Sequence, residues 1–181
     1  MRVHPELAIK GVAAVPEGGP MVEISFFHLK TRSVEDALPT LLEISLSRGW
    51  RVVVQTATAA RLRALDDHLW RYKPESFLPH GAKAESGAET QPVYLTDSDE
   101  NPNGADVRIF VEGVEMAPVL AGEAAPRLRA ALLFNGDNDD ELQNARAQWK
   151  TLRDAGQTLI YQQQDENGRW VEKAREPKAQ S

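Results

Sequence analysis

A chain of 181 residues is long enough for one domain with a substantial core and too short for two domains of usual size. Its formal charge of −6 argues against a general nucleic-acid binder, because phosphate backbones are met by clustered Lys and Arg. The absence of cysteine excludes disulfides and thiolate zinc sites; with no signal peptide or apolar run of membrane-spanning length, a cytoplasmic protein is expected.

In chain order, residues 1–20 show no sustained period and read as a flexible N-terminal extension. Val22, Ile24 and Phe26 then alternate with Glu23 and Ser25, predicting a strand to Leu29. Val34 to Ser47 has helical spacing, with Ser33 as N-cap, Asp36 three residues on, and Pro39 as an irregularity inside it. Gly49 stops that helix, and residues 50–54 follow as a short buried strand. A second helix, Thr58 to Leu69, turns Leu62, Leu65 and Leu69 inward and Arg61, Arg63, Asp66 and Asp67 outward. Residues 81–91 are small and polar and read as a mobile loop. Strands are expected at 92–96, 107–111 and 128–134, with an Asp- and Asn-rich loop at 97–104. A last helix spans about Asp137 to Ala155, its acidic start offsetting the dipole and Gly156 ending it. Residues 157–163 return as a strand, and 172–181 are charged and expected to fray, so the folded domain is placed at 21–173 with a disordered tail at 174–181. Alternating strands and helices imply a single α/β layered domain around a mostly parallel sheet flanked by helices.

Two stretches stand out. Residues 70–80, WRYKPESFLPH, follow the second helix, and Pro74 and Pro79 forbid a continuing helix. Yet the segment carries Trp70, Tyr72, Phe77 and Leu78, more apolar area than a solvated connection needs, so it either folds back on the core or offers a surface to another protein. On the last helix, Leu142, Ala145, Trp149 and Leu152 form one stripe with Arg146, Lys150 and Arg153 beside it. The stripe is either core with a wet edge or a face joining an indole to three cations.

No catalyst is evident. The phosphate loops Gly-x-x-x-x-Gly-Lys-Ser/Thr and Gly-x-Gly-x-x-Gly are missing, and the first strand runs into His28-Leu29-Lys30 instead of glycines. His4, His28, His68 and His80 lack metal-ligand spacing, and Asp66-Asp67 and Asp139-Asp140 read as solvated or dipole-complementing carboxylates. No cofactor or metal site is expected. A nucleotide- or small-molecule-binding enzyme on a doubly wound sheet is the alternative to a binding protein, and single-strand binding through Trp149 is a third reading that the net charge disfavours.

The run LDDHLWRYKPESFLPHG (Leu65 to Gly81) resembles the signature of the chi subunit of bacterial DNA polymerase III, with its Leu-Trp and Pro-x-Ser-Phe-x-Pro-His pattern. The run ARAQWKTLRDAGQTLIYQQQDENGRW (Ala145 to Trp170) is similar to that family's final helix and strand, as is the Phe26-Phe27 strand. The resemblance implies a nucleotide-binding-like fold without its phosphate loop. It also implies a non-catalytic accessory subunit of the polymerase holoenzyme in DNA replication, joined to the clamp loader through the psi subunit and binding the acidic C-terminal tail of single-stranded-DNA-binding protein. On this resemblance Arg146, Trp149, Lys150 and Arg153 receive the tail, and Trp70 and Phe77 face psi or a competing helicase. The tail presents aspartates and a terminal Phe with a free carboxylate, which calls for cations beside an apolar wall. No direct nucleic-acid or membrane contact is implied.

Overall fold

The computed structural model describes residues 22–73, 75 and 77–177. The extension at 1–20 and the end of the chain beyond 177 lie outside the described residues. Eight strands, β1 (Glu23–Leu29), β2 (Val52–Gln55), β3 (His80–Ala82), β4 (Val93–Thr96), β5 (Val107–Val111), β6 (Arg129–Asn135), β7 (Thr158–Gln164) and β8 (Trp170–Glu176), form one sheet in the order β3-β4-β2-β5-β6-β1-β7-β8. All pairings are parallel except β7 with β8. The helices are α1 (Val34–Ser47), α2 (Ala59–Arg71), the short α3 (Ala117–Leu120) and α4 (Asp139–Asp154). The expected α/β domain with a mostly parallel sheet is therefore the fold observed. Among the described residues, no helix is long and apolar enough to cross a membrane.

Chain direction sorts the helices onto two faces. From β1 the connections run through α1 and α2 toward the β3 edge, while from β4 onward they run back toward β8, so right-handed crossovers put α1 and α2 on one face and α3 and α4 on the other. The two main cores match this: Leu38, Leu42, Leu62, Leu65, Val54 and Ile109 pack on the first face, and Phe26, Phe110, Leu132, Phe134, Ala145 and Leu152 on the second.

Local chemistry explains the helix ends. Ser33 and Asp36 form a reciprocal capping box on α1, and Thr58 caps α2 through the Arg61 amide. Pro39 sits inside an uninterrupted α1. Proline has no N–H to give the Glu35 carbonyl, and the His68 Nε2 from α2 takes that place at 2.7 Å.

Three expectations need correction. Residues 81–91 are not one mobile loop: His80–Ala82 pair with β4 as an edge strand, and a 3-10 turn at Ala88–Thr90 packs over it so closely that a Cβ on Gly81 would lie 2.8 Å from the Ala88 Cα. The charged end does not fray at 172, because β8 pairs antiparallel with β7 as far as Glu176, the Asn167-Gly168 turn reversing the chain. Arg61 and Asp66 do not face solvent from α2; Arg61 bridges Glu35 and Glu112, and Asp66 lies 3.1 Å from the buried His80 ring.

No helix joins β4 to β5, so on the α3/α4 face β2 and β4 are covered only by the Ala88 turn and by loop, with Ala88 and Ala105 packing on Val53 and Tyr94. A buried arginine fills the gap. Arg108, on β5, is fully buried, and its guanidinium donates to Gln55 Oε1 (2.6 and 3.0 Å) and to the carbonyls of Ser98 (3.0 Å), Glu100 (2.6 Å) and Ala124 (3.3 Å). It thereby gathers the 97–104 loop and the 122–126 connection over the sheet. Glu100 adds to this by accepting from Thr96, Tyr94 and Ser98 hydroxyls, and Asn103 by donating to the Val52 and Gln91 carbonyls. Burial pushes the Arg108 pKa down to about 10, with Asp99 and Glu100 resisting.

Arg108→Met should lower stability by about 3 kcal/mol, since the substitution strands several buried acceptors. Urea unfolding measures the loss, and hydrogen exchange should place the lost protection in residues 97–104 and leave β1 and β6 protected.

Candidate functional site

The second face ends in an aromatic cluster under α4. Asn138 caps α4 through the Glu141 amide, and Asp139, Asp140 and Glu141 fill its first turn. Ala145 and Leu152 are buried, and the buried Gln148 accepts from the Met116 amide and donates to the Val114 carbonyl, both at 2.9 Å, fixing the helix against the segment that leads into α3. With those positions inward, Trp149 lies half-buried at the flank: its ring meets Phe26 edge-on at 5.1 Å and Tyr161 at 5.6 Å.

Beside that indole, Arg146, Lys150 and Arg153 are exposed. Arg153 touches Asp154 at 3.4 Å, but Arg146 and Lys150 have no ion-pair or hydrogen-bond partner among the described residues. The four tail-binding candidates thus lie together on one helix flank. The indole is more deeply packed than an open wall, and Tyr161 lies edge-on beside it.

Strand register extends this surface. Residues paired across neighbouring strands point to the same face. Phe26, Tyr161 and Ala174 form one row across β1, β7 and β8, and His28, Gln163 and Val171 form the next. A recess of about 500 Å³ opens beyond the second row, where Lys30 and Lys173 are matched by Asp165 and Glu166 around Gln163 and Val171. Val171 is 38% exposed. Arg146, Lys150 and Arg153 therefore border the aromatic surface, and the recess beyond it carries both signs of charge. Sequence reading found the helix but missed the strand residues; the alternation of Leu159 and Tyr161 was the available signal.

His28 is the hinge of this arrangement. Its Nδ1 lies 2.7 Å from the Tyr161 hydroxyl, and its ring occupies the space a side chain at position 136 would need, so a Cβ on Gly136 would fall 1.6 Å from Nε2. Burial, Lys30 and Arg146 hold the His28 pKa below the ordinary 6.5, against the pull of Asp137. The unfolded chain then binds more protons than the folded one just below pH 6.5, so stability falls as pH drops through that window and levels off beneath the folded value. His28→Gln should flatten the fall, as thermal unfolding between pH 7 and 5 would record.

At the opposite edge of the sheet, the 70–80 segment does both things its composition allowed. Leu78 is buried and Tyr72 packs against the first core, whereas Trp70 is 52% and Phe77 72% exposed, their rings 6.1 Å apart. Behind them the His80 ring lies 4.5 Å from Trp70; His80 donates from Nδ1 to the Leu78 carbonyl at 2.7 Å. Its Nε2 is close to Asp66 but poorly aligned for a hydrogen bond. Burial, with Glu85 adding, raises the Asp66 pKa against the pull of His80. Trp70 and Phe77 are thus brought together, far from the α4 flank. Among the described residues no group of three or more His, Asp or Glu is placed to hold a metal.

The chain is 29% identical over 100 residues to a probable DNA polymerase III subunit chi from Rickettsia prowazekii (strain Madrid E), covering 55% of this chain and 61% of that protein's length. Among solved structures, the C-terminal domain of a possible DNA helicase from Lactobacillus plantarum WCFS1 is similar at a TM-score of 0.42 and 11% identity, over 65% of this chain and 76% of that one. A likeness of that size carries no functional weight. The profile of the family described as DNA polymerase III chi subunit, HolC, matches residues 21–160, a span that takes in the aromatic segment and all of α4. This chain belongs to the DNA polymerase III chi subunit family.

Proposed function

We propose that this protein is a non-catalytic accessory subunit of the replicative polymerase that links the clamp loader to single-stranded-DNA-binding protein. The α4 flank receives the acidic C-terminal tail of that protein. The observation that carries this reading is the pair of unmatched exposed cations, Arg146 and Lys150, beside the Trp149–Tyr161 aromatic floor in a chain of net charge −6. Guanidinium groups grip carboxylates bidentately, and the aromatic floor suits a benzyl ring.

A peptide ending Asp-Asp-Ile-Pro-Phe should bind at roughly micromolar Kd, about −8 kcal/mol, and more weakly as salt rises. Arg146→Ala should weaken it about tenfold or more, in keeping with about 1.5–3 kcal/mol for a charge-assisted hydrogen bond. Calorimetry reads both, and unchanged affinity in the variant refutes the site.

The Trp70–Phe77 patch is the surface proposed for psi or an equivalent clamp-loader or helicase partner. Large aromatics exposed side by side are characteristic of interface anchors. Phe77 stands largely in solvent while Trp70 also covers the His80 ring, so Phe77→Ala should leave the melting temperature nearly unchanged and weaken capture of that partner in a pull-down, while tail binding at α4 persists.

A further inference from the structure

The opposite face of the sheet carries a second cationic groove that the tail-binding reading does not use. Phe27, Ile109 and Ala131 form its floor on the α1 side, and Ile44, 43% exposed, stands at its rim. Two guanidiniums approach one indole there: Arg48 lies 4.9 Å and Arg129 5.2 Å from the Trp50 ring centroid. Glu23 meets Arg129 at 3.1 Å. Arg48 is half-buried, and among the described residues its guanidinium has no hydrogen-bond or ion-pair partner. The end of α1 favours a cation at this position, but the side chain itself is turned onto Trp50. One carboxylate therefore serves two adjacent guanidiniums, next to exposed aliphatic surface.

We propose that this groove is a docking socket for an acidic segment of a partner polypeptide, one bulky apolar side chain entering between Ile44 and Phe27 and flanking carboxylates pairing with Arg48 and Arg129. The cavity of about 130 Å³ suits one side chain and is well below the roughly 300 Å³ of small-molecule pockets. Charge complementarity favours a carboxylate-bearing chain, and the indole, already occupied by two guanidiniums, is poorly placed to stack on a nucleobase. Because β1 residues alternate between faces, Phe27 and Phe26 put the two acid-binding grooves back to back across the sheet, so the groove stands independently of the α4 reading.

The test is a titration of the ¹⁵N-labelled full chain with acetyl-Asp-Asp-Phe-Asp-Asp-amide, capped so that it offers no terminal carboxylate. The expected result is a saturable shift of the Trp50 indole and Arg48 Nε resonances, with a Kd of roughly 1 mM or below. That shift should persist in Arg146→Ala, weaken at least tenfold in Arg48→Gln, and vanish in Ile44→Glu, an exposed change that leaves the fold intact. Shifts confined to Trp149 and Tyr161 would overturn this socket and leave the α4 site standing. An equal response to acetyl-Asn-Asn-Phe-Asn-Asn-amide would overturn the charge pairing. A dimer in sedimentation that Ile44→Glu converts to monomer would overturn it too, by giving the groove to a second copy.

Discussion

The five donors of Arg108 decide how half of this sheet is covered. A parallel sheet has two faces to bury, and each crossover helix normally covers part of one. Between β4 and β5 the chain supplies only polar loop, so beyond the cover that Ala88 and Ala105 give Val53 and Tyr94 the sheet would lie open to water around Arg108. Burying a guanidinium with no carboxylate bonded to it is expensive, and the expense is offset because every hydrogen bond it makes goes to a fixed carbonyl or the Gln55 amide oxygen, with Asp99 and Glu100 favouring its charge. The arginine trades its hydration for a network that pins two connections at once, and the loop takes the place of a helix.

That solution divides the second face into two regions. Near β2 and β4 the covering layer is thin, polar and tied by directional bonds. Over β6, β1 and β7 it is α4, held by Gln148 and an aromatic cluster that reaches from Phe134 through His28 to Tyr161 and Trp149. Helical periodicity then gives α4 a buried stripe and a cationic flank, and the flank faces outward because the stripe is occupied. The character of the α4 surface is thus a by-product of how the helix is anchored: the ring that packs the core also lies beside Arg146 and Lys150.

Much of this was legible in the chain itself. Alternation marked β1, the Ser33 cap marked α1, the inward leucines marked α2, and the i, i+4, i+7 spacing marked the cations of α4. What escaped notice depended on contacts between distant segments. His68 donating to the Glu35 carbonyl has no local signature, because the vacancy it fills is created by Pro39 on another helix. Arg108 lies within an otherwise apolar run, where a charged residue would be read as an outward position. β3 is only three residues and carries glycine and histidine, so no period exists to detect; its pairing with β4 and the packing of Ala88 define it. β8 looked like a charged tail because an edge strand with one side in water needs no apolar alternation. The aromatic segment was ambiguous by composition because it does two jobs, burying Leu78 while exposing Trp70 and Phe77.

The two margins of the sheet have a bearing on assembly. One ends in a three-residue strand shielded by a turn, the other in a strand bearing Glu172, Lys173, Arg175 and Glu176, with Arg175 and Glu172 paired at 2.7 Å. Short or heavily ionic margins discourage main-chain pairing between molecules, the route by which sheets polymerise. Contacts with other proteins are thereby left to side chains displayed on the helices and on the broad faces of the sheet, where sequence can tell one associate from another.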